Sequence, residues 1–394
     1  MTDAVIGGAD GEAITADTGA AADGVPGTSL ASGTTAPPTI YDVARVAGVS
    51  IASVSRVLNG QRNPRPETRD RVQRAVAELG FVPDGAARAL SVRLKEVVGV
   101  VVRRPFNTNA ESGAGSDGVF ADEAESLQFP DILNRGIERA AQLRGFDLLV
   151  RSVDINDHDP GTRIAALARK SDGLILHDRQ LAPDQLDKLS RQVPIVTLAG
   201  VVTSTTANVR SDNRAGMREL ARHLLHDHGY RTVGYLGGYG DSPDSLARQE
   251  TIAAETEAAG AVLYTGPQWQ GNYYAAGGAA VTKRLLDSGA KLPRVIVCAN
   301  DQTALGVMYV LRRQGVNVPR DVAVTGFDDI PMARHLHPQL TTVRQPIREL
   351  GETAFEVLYA MIGHQQLRER DIVLPARLIR RESCGCGAHL TEGA

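Results

Sequence analysis

The 394-residue chain has few cysteines and no long apolar run. Its three cysteines, Cys298, Cys384 and Cys386, are too few and too unevenly spaced for a disulfide framework, which favours a reducing compartment. No stretch approaches the roughly 18–20 apolar residues of a membrane-spanning helix. The first residues also lack the basic start and apolar stretch of a secretory signal. We therefore expect a cytoplasmic protein without a membrane role.

Charge is unevenly distributed along the chain, although the formal net charge is only -3. Residues 1–38 contain five acids and no lysine or arginine, which predicts a disordered acidic tail, with a regulatory arm as the alternative. In residues 39–95, ten basic residues face five acids, a surplus of five positive charges. This surplus indicates either a polyanionic partner such as nucleic acid or an ordinary solvated surface.

The order of residue types in residues 39–59, TIYDVARVAGVSIASVSRVLN, favours the first alternative because it predicts a helix-turn-helix. Thr39 and Asp42 form a variant of the capping box, Gly48 can adopt the positive φ of a turn, and Ser50 can cap the second helix. Apolar residues at helical spacing predict the buried faces: Val43, Ala44 and Ala47, then Val54, Val57 and Leu58.

The solvent side of the second helix carries short or hydrogen-bonding residues, namely Ile51, Ala52, Ser53, Ser55 and Arg56. Such residues let a helix approach base edges in the major groove, whereas an ordinary surface helix carries more Glu and Lys. A third amphipathic helix from Glu67 to Leu79, ended by Gly80, would complete a three-helix core. The segment that follows, FVPDGAARALSVR, predicts a short, weak hinge helix that folds only on contact.

From Val97 onward, β-rich runs alternate with helical runs, which predicts parallel sheets covered on both faces. Strands are expected at 97–102, 146–150, 173–177 and 194–200, and helices at 131–145, 161–170 and 184–191. The pattern restarts with strands in TVGYLGG, 294–301 and 322–329, and with helices near 244–259 and up to residue 315. We expect two doubly wound lobes with a ligand in the cleft beyond the carboxyl ends of the strands.

The motifs YDVAxxAGVSxxSVSRVLN and FVPxxxARAL, with SLAR, CAND and GFDD later in the chain, resemble the lactose-repressor (LacI/GalR) family over residues 38–383. The resemblance implies an α/β fold in which a helix-turn-helix domain and hinge helix precede two lobes of the periplasmic-binding-protein type. It also implies a homodimer that binds a near-palindromic DNA operator, with repression favoured over activation. A small molecule in the cleft, a sugar above all, would control the affinity for DNA. No cofactor is expected, and no heptad repeat follows Glu382 to build a tetramer.

By this resemblance the recognition helix includes Ser50, Ile51, Ala52, Ser53, Ser55 and Arg56, and the main base-reading positions are Ile51, Ala52 and Arg56. Tyr41 and Asn59 would touch phosphate or support the turn. Leu90, beside Ala87 and Arg88, would wedge open a base step from the minor groove.

In the cleft, the resemblance implies that Arg248, Asn300 and Asp328 hydrogen-bond sugar hydroxyls. Either Tyr273 or Trp269 would stack on a sugar face, and Phe129 matches an aromatic cleft position. The alternative for Arg248 and Asp328 is a purely structural role. The same region holds two further acids that either contribute to the cleft or cap helices, Asp301 and Asp329.

Two departures from the family pattern concern the cleft. Thr251 and Ile252 replace the usual glycine and aromatic residue after Arg248, so we expect a reshaped cleft there. The segment between Arg104 and Phe129 is longer than usual, which predicts a disordered insertion or a lid.

Other candidate sites are weaker. Cys384 and Cys386, with His389, fall one ligand short of a metal site, and we expect no metal. Three histidines near the end of a helix are expected on the surface, His223, His226 and His228. A sugar-binding transport protein would share the two lobes but not the basic domain, and no placed nucleophile and base indicate an enzyme. The effector, its direction of action and any phosphoprotein corepressor stay open.

We expect six parts along the chain. They are a tail at 1–37, the helix-turn-helix at 38–83, a hinge at 84–96, a first lobe at 97–208 with 345–374, a second lobe at 209–344 with 375–383, and a tail at 384–394.

Overall fold

A computed structural model describes residues 37–58, 64–81, 94–104, 119–120, 127–154, 157, 159–177, 180–200 and 202–387. Several sequence predictions fall outside these residues: the acidic tail, Asn59, Ala87, Arg88, Leu90, most of the segment 105–128, and His389. The chain divides into two compact units between Pro83 and Asp84. Among the described helices, none is both long and apolar enough to cross a membrane.

The first unit is the predicted three-helix domain, with α1 at Ile40–Ala47, α2 at Ile51–Leu58 and α3 at Pro66–Leu79. The backbone nitrogen and hydroxyl of Thr39 donate to the Asp42 carboxylate at 3.0 and 2.7 Å, which begins α1 as expected. Gly48 follows α1 at φ 61°, a conformation that favours glycine. The three helices share a core whose buried members are Val43, Ala44, Ala47, Val54, Val72 and Ala75.

The first lobe of the second unit is built on a six-stranded parallel sheet in the order β11-β5-β4-β3-β1-β2. Its strands are β1 Val97–Arg104, β2 Asp147–Asp154, β3 Gly173–His177, β4 Ile195–Leu198, β5 Ala207–Ser211 and β11 Asp371–Leu374. Helices α4 Gln128–Leu143 and α11 Ile347–Ile362 cover one face, and α5 Pro160–Ala168 and α6 Pro183–Ser190 cover the other. Alternate residues of β3 enter the two cores, since Ile175 packs with α11 and Leu174 packs with α5. The expected lobe boundary after residue 208 falls inside β5.

The second lobe is built on a four-stranded parallel sheet in the order β7-β6-β8-β9. Its strands are β6 Thr232–Leu236, β7 Val262–Tyr264, β8 Val295–Cys298 and β9 Ala323–Thr325. Helices α7 Asn213–Arg222 and α8 Pro243–Ala258 pack on one face, and α9 Ala275–Asp287 and α10 Asp301–Arg313 pack on the other. The two doubly wound lobes predicted from the alternating pattern are therefore confirmed.

The chain crosses between the lobes three times, after β5, after β10 and after β11. Strands β10 Thr342–Arg344 and β12 Arg377–Ile379 lie on these crossings and pair antiparallel. The segment 338–346 is thus the crossover back to the first lobe.

The expectation that three histidines lie on the surface is wrong for one of them. His226 is exposed, but the His223 side chain is buried beside the C-terminal cysteines Cys384 and Cys386. The reason is that His223 follows the buried Leu220 at helical spacing on the same side of α7, and the C-terminal segment packs against that side.

Helices α4 and α11 touch where each has a glycine. A Cβ atom at Gly351 would overlap the carbonyl oxygen of Leu133, and one at Gly136 would overlap the carbonyl oxygen of Arg348. Since backbone atoms are in the way, neither clash can be relieved by a rotamer change.

We expect Gly351→Ala to lower the free energy of unfolding of the second unit by about 2 kcal/mol, the usual cost of overpacking. The matched control is Gly161→Ala in α5, where the nearest atoms would lie at 3.5 Å and alanine favours the helix. Urea unfolding followed by circular dichroism measures both. Equal unfolding midpoints for the two variants would contradict the close helix contact.

Candidate functional site

The α2 helix presents the residues expected to read DNA. Ile51, Ala52 and Arg56 are exposed, Ser53 and Ser55 are half-buried, and Val54 between them is fully buried. Burial of Val54 fixes the helix by one face, so the opposite face is free to contact a partner.

Ser50 and Tyr41, two further residues expected to contact DNA, have different surroundings. Ser50 caps α2, since its Oγ accepts from the Ser53 backbone nitrogen at 3.2 Å. Tyr41, in the first turn of α1, is 68% exposed and available to a phosphate. Exposed arginines on α3 add to the positive charge of this unit: Arg69, Arg71 and Arg74.

A cavity of about 190 Å³ lies between the two lobes. Its walls are formed where parallel strands end and helices begin, as expected for doubly wound sheets. The first lobe contributes the ends of β1, β3, β4 and β5 and the start of α4, where Phe129 lies. The second lobe contributes four of the predicted residues: Arg248, Tyr273, Asn300 and Asp328.

Arg248 is buried on α8 and rigidly held. Its guanidinium donates from Nε to Asn213 Oδ1 at 2.8 Å and from Nη1 to the Ala299 carbonyl at 2.6 Å, and Nη2 faces Asp244 Oδ2 at 3.5 Å. It also lies 3.7 Å from the ring centroid of Phe327, a cation–π contact. These contacts use three of the five N–H donors of an arginine, which leaves donors for a ligand.

Asp328 follows β9 at φ 132° and is buried. Gln345 Nε2 donates to its Oδ1 at 2.5 Å. Burial, together with the charge of Asp301, raises the pKa of Asp328 well above the usual range of a carboxyl group.

Asn300 and Tyr273 form one structural unit at the rim of the second lobe. Asn300 Oδ1 caps α10 by accepting from Thr303 N at 3.0 Å, and its Nδ2 donates to the Tyr273 carbonyl at 3.0 Å. The Tyr273 hydroxyl lies 2.9 Å from Ser242 Oγ, and burial raises the pKa of this phenol. Asn300 thereby orients an aromatic ring towards the cavity.

Of the two aromatic candidates, only Tyr273 lines the cavity, and the alternative of Trp269 is wrong. Trp269 is 4% exposed and packs in the core of the second lobe between β6, α9 and α10. Gly234 in β6 makes room for its ring, because a side chain at that position would collide with the indole.

Neither alternative for the two acids Asp301 and Asp329 is correct, because neither is among the described residues that line the cavity and neither is the cap residue of a helix. The cap of α10 is Asn300, while Asp301 accepts from Ile330 N at 2.9 Å and from Thr342 Oγ1 at 2.5 Å. Asp329 binds arginines, with Arg344 Nε at 2.6 Å and Arg381 Nη2 at 2.5 Å. Both acids tie the crossover segment to the second lobe.

The two residues expected to reshape the cleft do not reach it. Ile252 is fully buried in the core of the second lobe, and the Thr251 hydroxyl donates to the Ala247 carbonyl of its own helix at 2.7 Å. Neither is among the described residues that line the cavity.

Sequence reasoning missed several polar residues of the cleft. They are Arg103, His177, Tyr239, Asp244 and Gln345. Gln345 lies in the crossover segment and was detectable from that position. Arg103 of β1 lies 3.6 Å from Asp241 and 5.4 Å from the Tyr239 ring centroid, so it joins the lobes across the cleft.

Comparisons with known proteins support both the helix-turn-helix domain and the two-lobed unit. Residues 39–84 match the family described as bacterial regulatory proteins, lacI family, and residues 221–384 match a periplasmic binding protein-like domain. The HTH-type transcriptional regulator GalS of Salmonella typhimurium is 31% identical over 348 residues, covering 88% of this chain and 96% of its own length.

The ribose operon repressor of Haemophilus influenzae is 29% identical over 350 residues, covering 88% of this chain and 98% of its own. Among solved structures, the lac repressor dimer bound to operator and the anti-inducer ONPF is similar, with a TM-score of 0.74 and 26% identity. That alignment covers 89% of this chain and 99% of the other.

The buried carboxyl of Asp301 should make the free energy of unfolding depend on pH. Burial raises its pKa to about 7, above the 3.8 of a free side chain. Between these values the folded state holds a proton that the unfolded state releases, so the free energy of unfolding falls as pH rises, by at most about 1.4 kcal/mol per pH unit. Asp301→Asn removes this dependence.

Urea unfolding of wild type and Asp301→Asn at several pH values between about 4 and 7 measures this pH dependence of stability. The stability of wild type relative to the variant should decrease as pH increases. A constant difference over that range would show that Asp301 does not carry the proton.

Proposed function

Because the chain belongs to the lacI family of bacterial regulatory proteins, we propose that it is a dimeric repressor whose binding to operator DNA is controlled by a small molecule in the cleft. The observation that carries the proposal is the pairing, in one chain, of an exposed recognition helix with a cleft whose wall carries Arg248, Asn300 and Asp328. The relatives are transcriptional regulators, and we propose no catalytic activity. The protein would act in the cytoplasm, where its operator lies.

On DNA, each residue of the α2 face has a proposed role. Arg56 forms a bidentate contact with a base edge, since guanidinium donors match the acceptors of guanine in the major groove. Ile51 and Ala52 make apolar contacts, for which a thymine methyl is the complementary group. Tyr41 contacts phosphate, and the half-buried hydroxyls of Ser53 and Ser55 complete the surface.

Four further DNA contacts stay predictions from the sequence: Asn59 at the end of the motif, and Leu90 with Ala87 and Arg88 in the hinge. We propose that the hinge at 84–96 links the helix-turn-helix at 38–83 to the first lobe. Its marginal helix would fold only when DNA is bound.

For the cleft we propose a sugar. A sugar offers many hydroxyls that both donate and accept, and the cavity offers matching groups on one wall: the donors of Arg248, the carboxyl of Asp328 and the amide of Asn300. Tyr273 and Phe129 supply apolar rings for the faces of the sugar. The named relatives support this class, because one is a ribose operon repressor.

Control of DNA binding requires that the ligand distinguish two arrangements of the lobes. Arg103 from the first lobe meets Asp241 and Tyr239 of the second, and Gln128 Oε1 accepts from Met332 N at 3.3 Å. A ligand that bridges the lobes would strengthen or break these contacts. The change would then bias the hinge, which precedes the first strand of this unit.

We expect Arg56→Ala to weaken operator binding about tenfold or more, because a bidentate base contact contributes about 1–3 kcal/mol. The control is Arg74→Ala, which removes the same charge from an exposed position on α3. Fluorescence anisotropy with an operator selected from random duplexes measures both, over a range of salt concentrations. Equal losses in the two variants, or affinity independent of salt, would contradict the proposal.

We expect a thermal-shift screen of pentoses, hexoses, disaccharides and purines to identify a sugar that raises the melting temperature. Asp328→Asn should weaken its binding about tenfold or more, since a buried site that loses its carboxyl group leaves ligand hydroxyls poorly paired. Asp287→Asn, at an exposed ion pair with Lys283, is the control. Stabilisation by purines alone would exclude the sugar class, and unchanged affinity in Asp328→Asn would exclude this cleft wall.

A further inference from the structure

Two cysteines and two histidines meet at one point of the second lobe, away from the residues that line the cavity. Cys384 and Cys386 belong to the C-terminal segment, and His223 and His228 follow α7. One side-chain nitrogen or sulfur from each residue lies within 4.8 Å of all the others. The four residues therefore form a compact N2S2 cluster.

Four of the six distances between the ligand atoms are close to those of a tetrahedral metal site. His223 Nε2 lies 3.5 Å from Cys384 Sγ and 3.4 Å from Cys386 Sγ, and His228 Nε2 lies 3.5 Å from Cys386 Sγ. The two Nε2 atoms are 3.1 Å apart. Zinc bonds of about 2.3 Å to sulfur and 2.0–2.1 Å to nitrogen place ligand nitrogen and sulfur about 3.5 Å apart on a tetrahedron, and two nitrogens about 3.3 Å apart.

Hydrogen bonding alone does not account for this convergence. The Nε2 atom of His223 faces three partners, the Nε2 of His228 and the sulfurs of Cys384 and Cys386. A ring nitrogen has either one hydrogen or one lone pair, so it can serve one of the three well. A cation at the centre would bind all four atoms at once.

The backbone is shaped to bring the four side chains together. In the π-helical turn His223–Asp227, His228 N donates to the His223 carbonyl at 3.2 Å, so residues five apart share one face. Gly385 separates the cysteines at φ 104°, which lets both sulfurs point to the same side. A Cβ there would press within 3.3 Å of the His228 ring and the Tyr230 hydroxyl.

Surrounding residues orient these ligands as they do in known metal sites. Asp227 Oδ2 lies 2.8 Å from His223 Nδ1, so the carboxylate fixes the ring with Nε2 facing the sulfurs. Tyr230 stacks on the His228 ring with an interplanar angle of 10°, and its hydroxyl donates to the Cys384 carbonyl at 2.8 Å.

We propose that His223, His228, Cys384 and Cys386 bind one Zn²⁺ ion, which anchors the C-terminal segment to the second lobe. A tetrahedral site of two sulfurs and two imidazoles favours zinc among common divalent ions. Four protein ligands leave no open position, so the site is structural. Binding releases the two thiol protons to solvent, and two thiolates balance the charge of the ion. From the sequence alone we expect no metal here, and the histidine considered with these cysteines, His389, lies outside the described residues.

The test uses the full-length protein, purified under reducing conditions, stripped with a chelator and titrated with Zn²⁺. We expect one zinc per chain by elemental analysis and a melting temperature that falls on chelation and recovers with zinc. Co²⁺ in place of zinc should give the intense visible absorption of tetrahedral thiolate coordination.

Variants locate the site. Cys386→Ala and His228→Ala should weaken zinc binding by more than about 100-fold, since loss of an orienting partner alone costs about 10–100-fold. That smaller loss is expected for Asp227→Asn. The matched controls Cys298→Ala, in the core of the sheet, and His226→Ala, at an exposed position in the same turn, should bind zinc as wild type does.

Three results would overturn the proposal. They are no bound zinc in the wild-type protein after titration, full zinc binding by Cys386→Ala, and a Cys384–Cys386 disulfide in place of metal under the reducing purification. The melting-temperature response of wild type needs no variant, so misfolding of a substituted protein does not obscure the answer.

Discussion

The hydrogen bonds between the crossover segment and the end of β9 are the constraint on which the cleft depends. Gly326 N donates to the Thr341 carbonyl at 3.0 Å, and Asp328 N donates to the Val343 carbonyl at 2.8 Å. Asp328 has a backbone conformation that residues with side chains rarely adopt, so it persists only where its surroundings fix it. Gln345, at the return to the first lobe, then donates to the Asp328 carboxyl. The crossover segment therefore determines where this carboxyl points.

Features that follow from local chemistry were predictable from the sequence. The helix-turn-helix depends on Thr39, Gly48 and Ser50, each of which satisfies a backbone requirement within a few residues of itself. The alternation of strands and helices depends on hydrophobic runs, and parallel strands end on one edge of their sheet. That rule alone places Asn300 and Asp328 at the cleft, because each closely follows a strand of the second sheet.

Features that depend on distant parts of the chain were not predictable. Trp269 and Tyr273 are four residues apart, but they pack against different parts of β6 and the chain that continues it. Gly234 makes room for the indole of Trp269, and Gly238 makes room for the phenol of Tyr273. In the same way, an α-helical spacing would turn His223 and His228 to different faces. The π-helical turn unites them, and their cysteine partners come from more than 150 residues further along the chain.

The proposed zinc site and the cleft meet at the same short crossover segment. On one side, Thr341 N donates to Ser383 Oγ at 2.8 Å, and the Thr341 hydroxyl lies 3.1 Å from Cys384 Sγ. On the other side, the next residue, Thr342, donates to Asp301, which also holds the backbone that follows Asp328. An ion that fixes Cys384 would thus stabilise the crossover segment on the side that faces Ser383 and Cys384. The crossover could then hold Asp328 in place while the first lobe moves, which is what a ligand-controlled cleft requires of its fixed wall.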